Sequence, residues 1–475
     1  MTEPDDKPNH SDRTYPPLVE GWSGAVGQAT ENAKQMPDVP AGGIDPRVWR
    51  RQWLDTLGQT TEAYLRSPLF LTTLKGHIET LIAARRRADS ERDASSSPCG
   101  QLSDDIRAMR CRLEKLQRQL NLLKSTSYDL TKTGSPQQSP GKREVQQPAP
   151  ASMPGATPCE VVYEEGILKL LRYRNDSVRF AEPILICFAL VNRPYILDLK
   201  EDRSVVRRLL DRGFDVYLID WGTPGEADSQ LSLEDYICSF LSNIVNFVCA
   251  STDTPQLNLL GYCMGGTMAT MFTALQPRRV RNLILMATPI DFAGDEGLLN
   301  LWSREEYFDV DQLIDTFGNC PGELLQLVFQ LMKPVQNFAE KHLTFCENLH
   351  DAAFVDNFVA VERWSGDSIP VVGETFRQYV KALYQQNQLV KGEMCLSGVP
   401  VRLQAITCPL LLLVAEKDHL VPPDSTLALM QYISSTDTQS MSINAGHVGL
   451  AVSSSAHRRL WPEAANWIAN HSTEL

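Results

Sequence analysis

Residues 257–266 have the sequence LNLLGYCMGG, an apolar run that ends in the pattern G-x-C-x-G-G. The run predicts a buried strand, followed by a helix that begins near Thr267. Small residues are needed two positions before and after Cys263, because a strand that turns sharply into a helix leaves no room there for Cβ atoms. The pattern predicts a turn that presents Cys263 as a nucleophile; the alternative is a buried structural cysteine.

The helix that follows Cys263 would stabilise negative charge at this turn. Its N-terminus has unpaired backbone N–H groups, which favour a thiolate and a developing oxyanion. We expect the first oxyanion donor to be the backbone N–H of Met264. The second should come from the loop after the first core strand, where residues 191–194 have the sequence VNRP, and we favour Val191.

An acid and a base in later segments complete a catalytic set. Asp418 follows a predicted buried strand, and His447 lies between glycines in the sequence NAGHVG. Taken singly, they are a loop cap and a surface imidazole. The order nucleophile, acid, base, with separations of 155 and 29 residues, is that of the α/β-hydrolase fold. His447 would take the proton from Cys263, while Asp418 would hold the imidazole in the required tautomer.

Two further side chains lie near these motifs. His419, beside Asp418, is either a second functional imidazole or an ordinary loop residue. Trp364, in the sequence ERWSGD, either lines the inner face of the predicted cap or packs, and we favour packing. Both are therefore candidates for residues that support the catalytic set.

Apolar segments that alternate with amphipathic ones predict a mainly parallel, doubly wound sheet covered by helices. The strand candidates are residues 184–190, 215–220, 256–261, 280–287 and 409–415. The segment from about residue 290 to 400 is too long for a loop and predicts a helical cap. The catalytic domain would span residues 159–475.

The N-terminal third differs in composition. Residues 1–43 are polar and predict a disordered arm. Residues 44–124 predict helices that begin at Asp45-Pro46 and Ser67-Pro68, followed by a short coiled coil. The heptad positions are Leu102, Ile106, Met109, Leu113, Leu116, Leu120 and Leu123. Residues 125–158 are rich in Pro, Ser and Gln and predict a linker.

Bulk properties exclude several classes of protein. The formal net charge of -13 argues against nucleic-acid binding. The apolar runs are too short to cross a bilayer, and the first residues resemble no secretory signal, so we expect a cytoplasmic protein. The eleven cysteines include no C-x-x-C pair, which predicts free thiols and no metal site.

From about residue 159 to 468 the chain resembles the catalytic subunit of class III polyhydroxyalkanoate synthases. The matching runs beside G-x-C-x-G-G are FALVNRPY at 188–195, VYLIDWG at 216–222, GETFRQ at 373–378 and DHLVPP at 418–423. The chain departs from the family pattern at Ala445, where a glycine is usual. The N-terminal region weakly resembles the family's separate helical accessory subunit.

The resemblance implies an acyltransferase that polymerises (R)-3-hydroxyacyl groups from coenzyme A thioesters through a thioester on Cys263. It implies that Asp418 also assists deprotonation of the attacking hydroxyl. It implies no cofactor beyond the coenzyme A thioester substrate, association with polyester granules, a homodimer, and an accessory subunit as a partner. The alternative is a cysteine-dependent thioesterase or polyester hydrolase of the same fold.

Overall fold

The computed structural model describes residues 46–94, 155–175, 177–294 and 297–475. The predicted arm, the predicted heptads and most of the predicted linker lie outside the described residues.

A central sheet of eight strands organises the catalytic domain. Numbered along the chain, its strands are β1 (Glu160–Glu165), β2 (Leu168–Tyr173), β3 (Ile184–Cys187), β6 (Val216–Asp220), β7 (Leu257–Tyr262), β8 (Val280–Met286), β11 (Leu410–Ala415) and β12 (Thr438–Ile443). Two small ribbons pair β4 (Asp198–Lys200) with β5 (Arg203–Ser204), and β9 (Cys395–Leu396) with β10 (Val399–Pro400). The order in the large sheet is β1-β2-β6-β3-β7-β8-β11-β12. In this order, the neighbouring strands from β6 to β12 pair in parallel. The strand β2 pairs in antiparallel with both of its neighbours, β1 and β6.

The apolar composition of the central strands follows from their burial. Every residue of β3, β7 and β11 is buried. Continuous apolar runs are typical of parallel strands that are covered on both faces. The five predicted strands are confirmed, with shifts of up to three residues at their ends.

Helices connect and cover the strands, as the predicted α/β-hydrolase fold requires. Numbered along the chain, they are α1 (Pro46–Leu65), α2 (Pro68–Ala94), α3 (Val205–Arg212), α4 (Ser242–Ser251), α5 (Met264–Leu275), α6 (Leu298–Trp302), α7 (Val310–Phe317), α8 (Gly322–Leu331), α9 (Lys341–Glu347), α10 (Ala352–Ser365), α11 (Gly373–Gln378), α12 (Gln388–Lys391), α13 (Pro423–Leu427), α14 (Gly449–Val452) and α15 (Trp461–Asn470). Within the described ranges, no helix is both long and apolar enough to cross a bilayer.

Helices α6 to α12 lie between β8 and β11, in the range where the sequence predicts a cap. Some turns in this insertion are wound more loosely than an α-helix, with i→i+5 hydrogen bonds, at Val335–Glu340 and Tyr379–Gln385. The insertion begins after the carboxyl end of β8, which pairs in parallel with β7, so it starts at the edge of the sheet where Cys263 follows β7.

Helices α1 and α2 begin at Pro46 and Pro68, the two predicted helix starts. Of the described residues, 46–77 form one compact unit with 155–475, and 78–94 belong to a second unit. In the first unit, apolar side chains of both helices pack against the cap. This cluster of buried residues consists of Leu65, Phe70, Leu71, Leu298, Trp302 and Met332. A second buried cluster joins Leu54 and Leu57 of α1 to Val335.

Candidate active site

The turn at Cys263 has the backbone conformation of a strained elbow. Cys263 lies between the end of β7 and the start of α5, with φ 54° and ψ −128°. Positive φ is uncommon for a residue with a Cβ atom, and such strain costs about 1–3 kcal/mol. The Cys263 backbone N–H donates to the carbonyl oxygen of Met286 on β8 at 3.0 Å. The neighbouring strand therefore holds the elbow in place.

The glycines after Cys263 are required by close contacts rather than by their own backbone angles. A Cβ atom on Gly265 would lie 2.3 Å from the carbonyl oxygen of Cys187, at the end of β3. A Cβ atom on Gly266 would lie 1.9 Å from Oγ1 of Thr288. The first turn of α5 is thus pressed against the ends of β3 and β8, as the G-x-C-x-G-G pattern predicts.

Asp418 and His447 meet beside this elbow. His447 Nδ1 lies 2.7 Å from Oδ2 of Asp418, and their side chains are 12% and 1% exposed. The other carboxylate oxygen, Oδ1, accepts hydrogen bonds from the backbone N–H groups of Leu420 and Val421, both at 2.9 Å. The carboxylate is therefore satisfied on both oxygens and can fix the orientation of the imidazole.

Cys263 is the second polar neighbour of His447. Burial alone would lower the pKa of His447, but the charges of Asp418 and Cys263, which both accept hydrogen bonds from the imidazole, raise that pKa to about 10. The structure thus brings together the three residues that the spacing singled out. Their arrangement suits proton transfer from a thiol to an imidazole that a carboxylate orients.

Tyr262 also contacts the histidine, and it was not among the predicted site residues. Its ring stacks on the imidazole of His447, with centroids 5.2 Å apart and an interplanar angle of 24°. Its hydroxyl donates a long hydrogen bond, 3.4 Å, to the backbone carbonyl of His447. Its partner lies 185 positions away in the chain, so no local sequence signal predicted the contact.

The two predicted oxyanion donors belong to different segments of the chain. In the described part of the chain, the backbone N–H groups of Met264 and Val191 donate no hydrogen bond. Met264 opens α5, and Val191 lies in the loop after β3. This loop is held at both sides, because Trp221 Nε1 donates to the carbonyl oxygen of Phe188 and Trp364 Nε1 donates to that of Arg193, each at 2.8 Å.

Trp364 is buried in the cap, and its indole N–H contacts the loop that carries Val191. His419, by contrast, is exposed, and its charged neighbours include Lys333 of the cap and Glu62 of α1. Desolvation and the Lys333 ammonium lower the pKa of His419. Lys333 and Glu62 also line a cavity of about 230 Å³ between α1 and the cap, which no triad residue lines.

Among the described residues, no group of three or more His, Cys, Asp or Glu side chains is placed to hold an ion.

Comparison with known proteins adds the family. Residues 182–453 match the family model of the alpha/beta hydrolase fold, and residues 152–209 match the model of the poly-beta-hydroxybutyrate polymerase (PhaC) N-terminus. Relatives named poly(3-hydroxyalkanoate) polymerase subunit PhaC are 46% identical in Haloferax mediterranei and 42% identical in Allochromatium vinosum. The match covers 67% of this chain and 65% of the Haloferax protein, and 66% of this chain and 89% of the Allochromatium protein. The chain belongs to this PhaC family.

Membership of the PhaC family confirms the resemblance seen in the sequence, and the sheet order confirms the α/β-hydrolase fold. A further relative of the same name in Synechocystis is 42% identical, over 66% of this chain and 85% of that protein. The matches to all three cover about two thirds of this PhaC chain.

The raised pKa of His447 predicts a pH-dependent contribution to stability. An unfolded histidine has a pKa of about 6.5, so a folded pKa of about 10 stabilises the protein fully below pH ~6.5. That contribution is lost as the pH rises from about 6.5 through about 10. We expect the melting-temperature difference between wild type and His447→Gln, measured by calorimetry, to shrink over that window. A difference that stays constant with pH would contradict the raised pKa.

Proposed function

We propose that this chain is a polyhydroxyalkanoate synthase that polymerises (R)-3-hydroxyacyl groups from coenzyme A thioesters. The single observation that carries the proposal is a sulfur nucleophile at the elbow of a PhaC-family α/β-hydrolase fold, within reach of a histidine paired with aspartate. The chain spans 65% of the length of the Haloferax relative, which is itself named a polymerase subunit.

In the first step, His447 holds the proton of the Cys263 thiol, as its raised pKa favours, and the resulting thiolate attacks the thioester carbonyl. The Met264 and Val191 N–H groups stabilise the oxyanion, and coenzyme A leaves as a thiol after taking the proton from His447. The acyl group then forms a thioester with Cys263. One thioester replaces another at nearly equal energy, so the acyl group stays activated, and the reaction needs no cofactor beyond its substrate.

In the second step, a hydroxyl group attacks the Cys263 thioester, the C–S bond breaks, and an ester forms with release of the Cys263 thiolate. The hydroxyl proton must be accepted in the transition state, and a hydroxyl is a far weaker acid than a thiol. We propose that Asp418 assists this deprotonation through His447, because both carboxylate oxygens are already engaged and the side chain is only 1% exposed. In this mechanism Asp418 does not contact the attacking hydroxyl directly.

The alternative function is hydrolysis of thioesters or polyesters by the same three residues, with water as the acceptor. The names of the relatives favour polymerisation. The two activities differ in product: a synthase releases coenzyme A and forms insoluble polymer, whereas a thioesterase releases coenzyme A and forms only free hydroxy acid.

Replacing Cys263 by Ala should abolish both coenzyme A release and polymer formation from 3-hydroxybutyryl-coenzyme A. The change removes the nucleophile without opening a large cavity, so the melting temperature should change little. Cys346→Ala, at an exposed thiol of the cap, is the matched control and should keep full activity. Polymer synthesis by a folded Cys263→Ala protein would refute the assignment of the nucleophile.

The two proton-handling residues should fail at different steps. In Asp418→Asn the imidazole loses its orienting carboxylate, and we expect measurable, slowed loading of Cys263 but elongation lower by about two orders of magnitude. In His447→Gln loading itself should fail. Single-turnover labelling with radioactive substrate separates the steps. Equal loss of loading in both variants would limit Asp418 to orienting the imidazole.

We further propose that the N-terminal helices act as a built-in accessory element for the cap. Trp302 Nε1 donates to the carbonyl oxygen of Leu65 at 3.1 Å, and the ring centroids of Phe70 and Trp302 lie 5.6 Å apart. Lys75 Nζ donates to the carbonyl oxygen of Glu306. A tethered helper has an effective concentration of about millimolar, so it needs no tight affinity.

Granule association, a cytoplasmic location, a homodimer and a separate accessory subunit also belong to the proposed function. Several large apolar side chains of the cap are exposed and offer an adhesive surface to the polyester. They are Leu327, Phe338, Leu343, Leu349 and Val359.

The accessory role predicts a specific loss of activity when the helix pair is detached. Phe70 is 2% exposed and Leu69 is 67% exposed on the same helix, so Phe70→Asp should release the pair while Leu69→Asp serves as the control. Burying an unpaired charge costs several kcal/mol, and we expect coenzyme A release to fall about tenfold or more in Phe70→Asp alone.

A second arm of this experiment uses the fragment 159–475. Its activity should be low and should rise when residues 1–158 are added as a separate chain. Full activity of the fragment alone, or of Phe70→Asp, would remove the accessory role.

A further inference from the structure

The cap brings two tyrosines to the same side of one loosely wound turn. Tyr379 and Tyr384 are five residues apart in the segment Tyr379–Gln385, which is wound with i→i+5 hydrogen bonds. In such a segment, residues five apart lie one turn apart on one face, whereas an α-helix aligns residues three or four apart. The winding therefore allows both rings to face the same space.

That space adjoins the elbow. The hydroxyl of Tyr379 lies 3.1 Å from Oγ1 of Thr267, one helical turn after Cys263. The ring of Tyr384 packs edge-to-face on Phe292, with centroids 4.8 Å apart, and lies 6.1 Å from the ring of Tyr379. The two tyrosines and Phe292 thus form an aromatic wall beside the nucleophile.

The two hydroxyl groups of this wall differ in their partners. Thr267 Oγ1 donates to the carbonyl oxygen of Pro289 at 2.7 Å, so it is free to accept the hydrogen of Tyr379. Tyr384 is partly buried, and its hydroxyl has no hydrogen-bond partner among the residues that the structure describes. Burial, and then the charge of Cys263, raise the pKa of Tyr384, so its hydroxyl stays protonated and remains a donor.

We propose that the Tyr384 hydroxyl donates a hydrogen bond to the oxygen on C3 of the acyl group held by Cys263. The proposal rests on the proposed function and assigns Tyr384 as the residue that selects 3-hydroxyacyl groups over unsubstituted acyl groups. The thioester carbonyl is served by the backbone donors at Met264 and Val191, so the wall is left to contact the rest of the acyl chain. An otherwise apolar wall with a single unpaired donor suits a short aliphatic chain that carries one oxygen.

The site selects 3-hydroxyacyl groups because the Tyr384 hydroxyl loses its hydrogen-bond acceptor when the acyl group lacks the oxygen on C3. A partly buried hydroxyl without an acceptor carries a desolvation penalty, and a site built to bind a substrate hydroxyl discriminates against the analogue that lacks it. One neutral hydrogen bond of this kind predicts about tenfold discrimination.

The test uses the full chain and two substrates, 3-hydroxybutyryl-coenzyme A and butyryl-coenzyme A. Single-turnover loading of Cys263 is followed by intact-protein mass spectrometry over a range of thioester concentrations. Tyr384→Phe removes only the hydroxyl, and Tyr379→Phe is the matched control because that hydroxyl already has an internal partner.

Wild type should load the hydroxylated substrate with the higher specificity constant. In Tyr384→Phe this preference should fall about tenfold. The concentration that gives half-maximal loading should rise for 3-hydroxybutyryl-coenzyme A and change little for butyryl-coenzyme A. Tyr379→Phe should keep the wild-type ratio, even if its stability or overall rate changes.

An unchanged ratio in Tyr384→Phe, or an equal loss for both substrates, would overturn the assignment. Failure of the wild type to load either thioester would instead refute the proposed function, on which the assignment rests.

Discussion

The active site depends on a single unfavourable backbone conformation at Cys263. With φ at 54°, this residue is held where few residues with a Cβ atom are found, and the surrounding structure must supply the cost of about 1–3 kcal/mol. It does so from three directions: β7 enters the turn, β8 accepts the Cys263 N–H, and α5 packs so closely on the end of β3 that Gly265 has no space for a side chain. The buried parallel sheet is what makes this support rigid.

The same rigidity allows a charged pair to remain buried next to the sulfur. A carboxylate that is 1% exposed is costly unless its lone pairs are used. Asp418 uses them on His447 and on two successive backbone N–H groups of the loop after β11. The carboxylate therefore raises the pKa of its partner histidine and keeps the imidazole in one orientation.

The parts of this arrangement with a local signal were predictable. A buried apolar run followed by G-x-C-x-G-G specifies the elbow, because Gly261 lies against the same turn, where a Cβ atom would be 2.4 Å from the Cα atom of Gly266. The five central strands have equally local signals. Edge strands do not: β12 has the sequence TQSMSI with mixed exposure, and β1 has EVVYEE. Their pairing depends on neighbours elsewhere in the sheet, so pattern alone missed them.

Apart from Cys263, Asp418 and His447, the contacts between distant segments had no local sequence signal. The stacking of Tyr262 on His447 joins residues 185 positions apart, and the aromatic wall depends on the unusual winding of Tyr379–Gln385, which periodicity does not reveal. The N-terminal helices were predicted from their start signals, but their attachment to Trp302 and Met332 of the cap was not.

The packing of the N-terminal helices on the cap also involves the loop after β11, which carries Asp418. Leu420 packs against the apolar cluster that Phe70 and Leu71 form with the cap, and its own backbone N–H is one of the two donors to Oδ1 of Asp418. One residue therefore belongs both to the packing of the helix pair and to the hydrogen bonds of the catalytic carboxylate. Because a packed cluster resists small displacements, the helix pair contributes to the position of Asp418 without contacting it. An accessory element need not supply a catalytic group to affect the rate, since it is sufficient that it limits how far the loop after β11 can move.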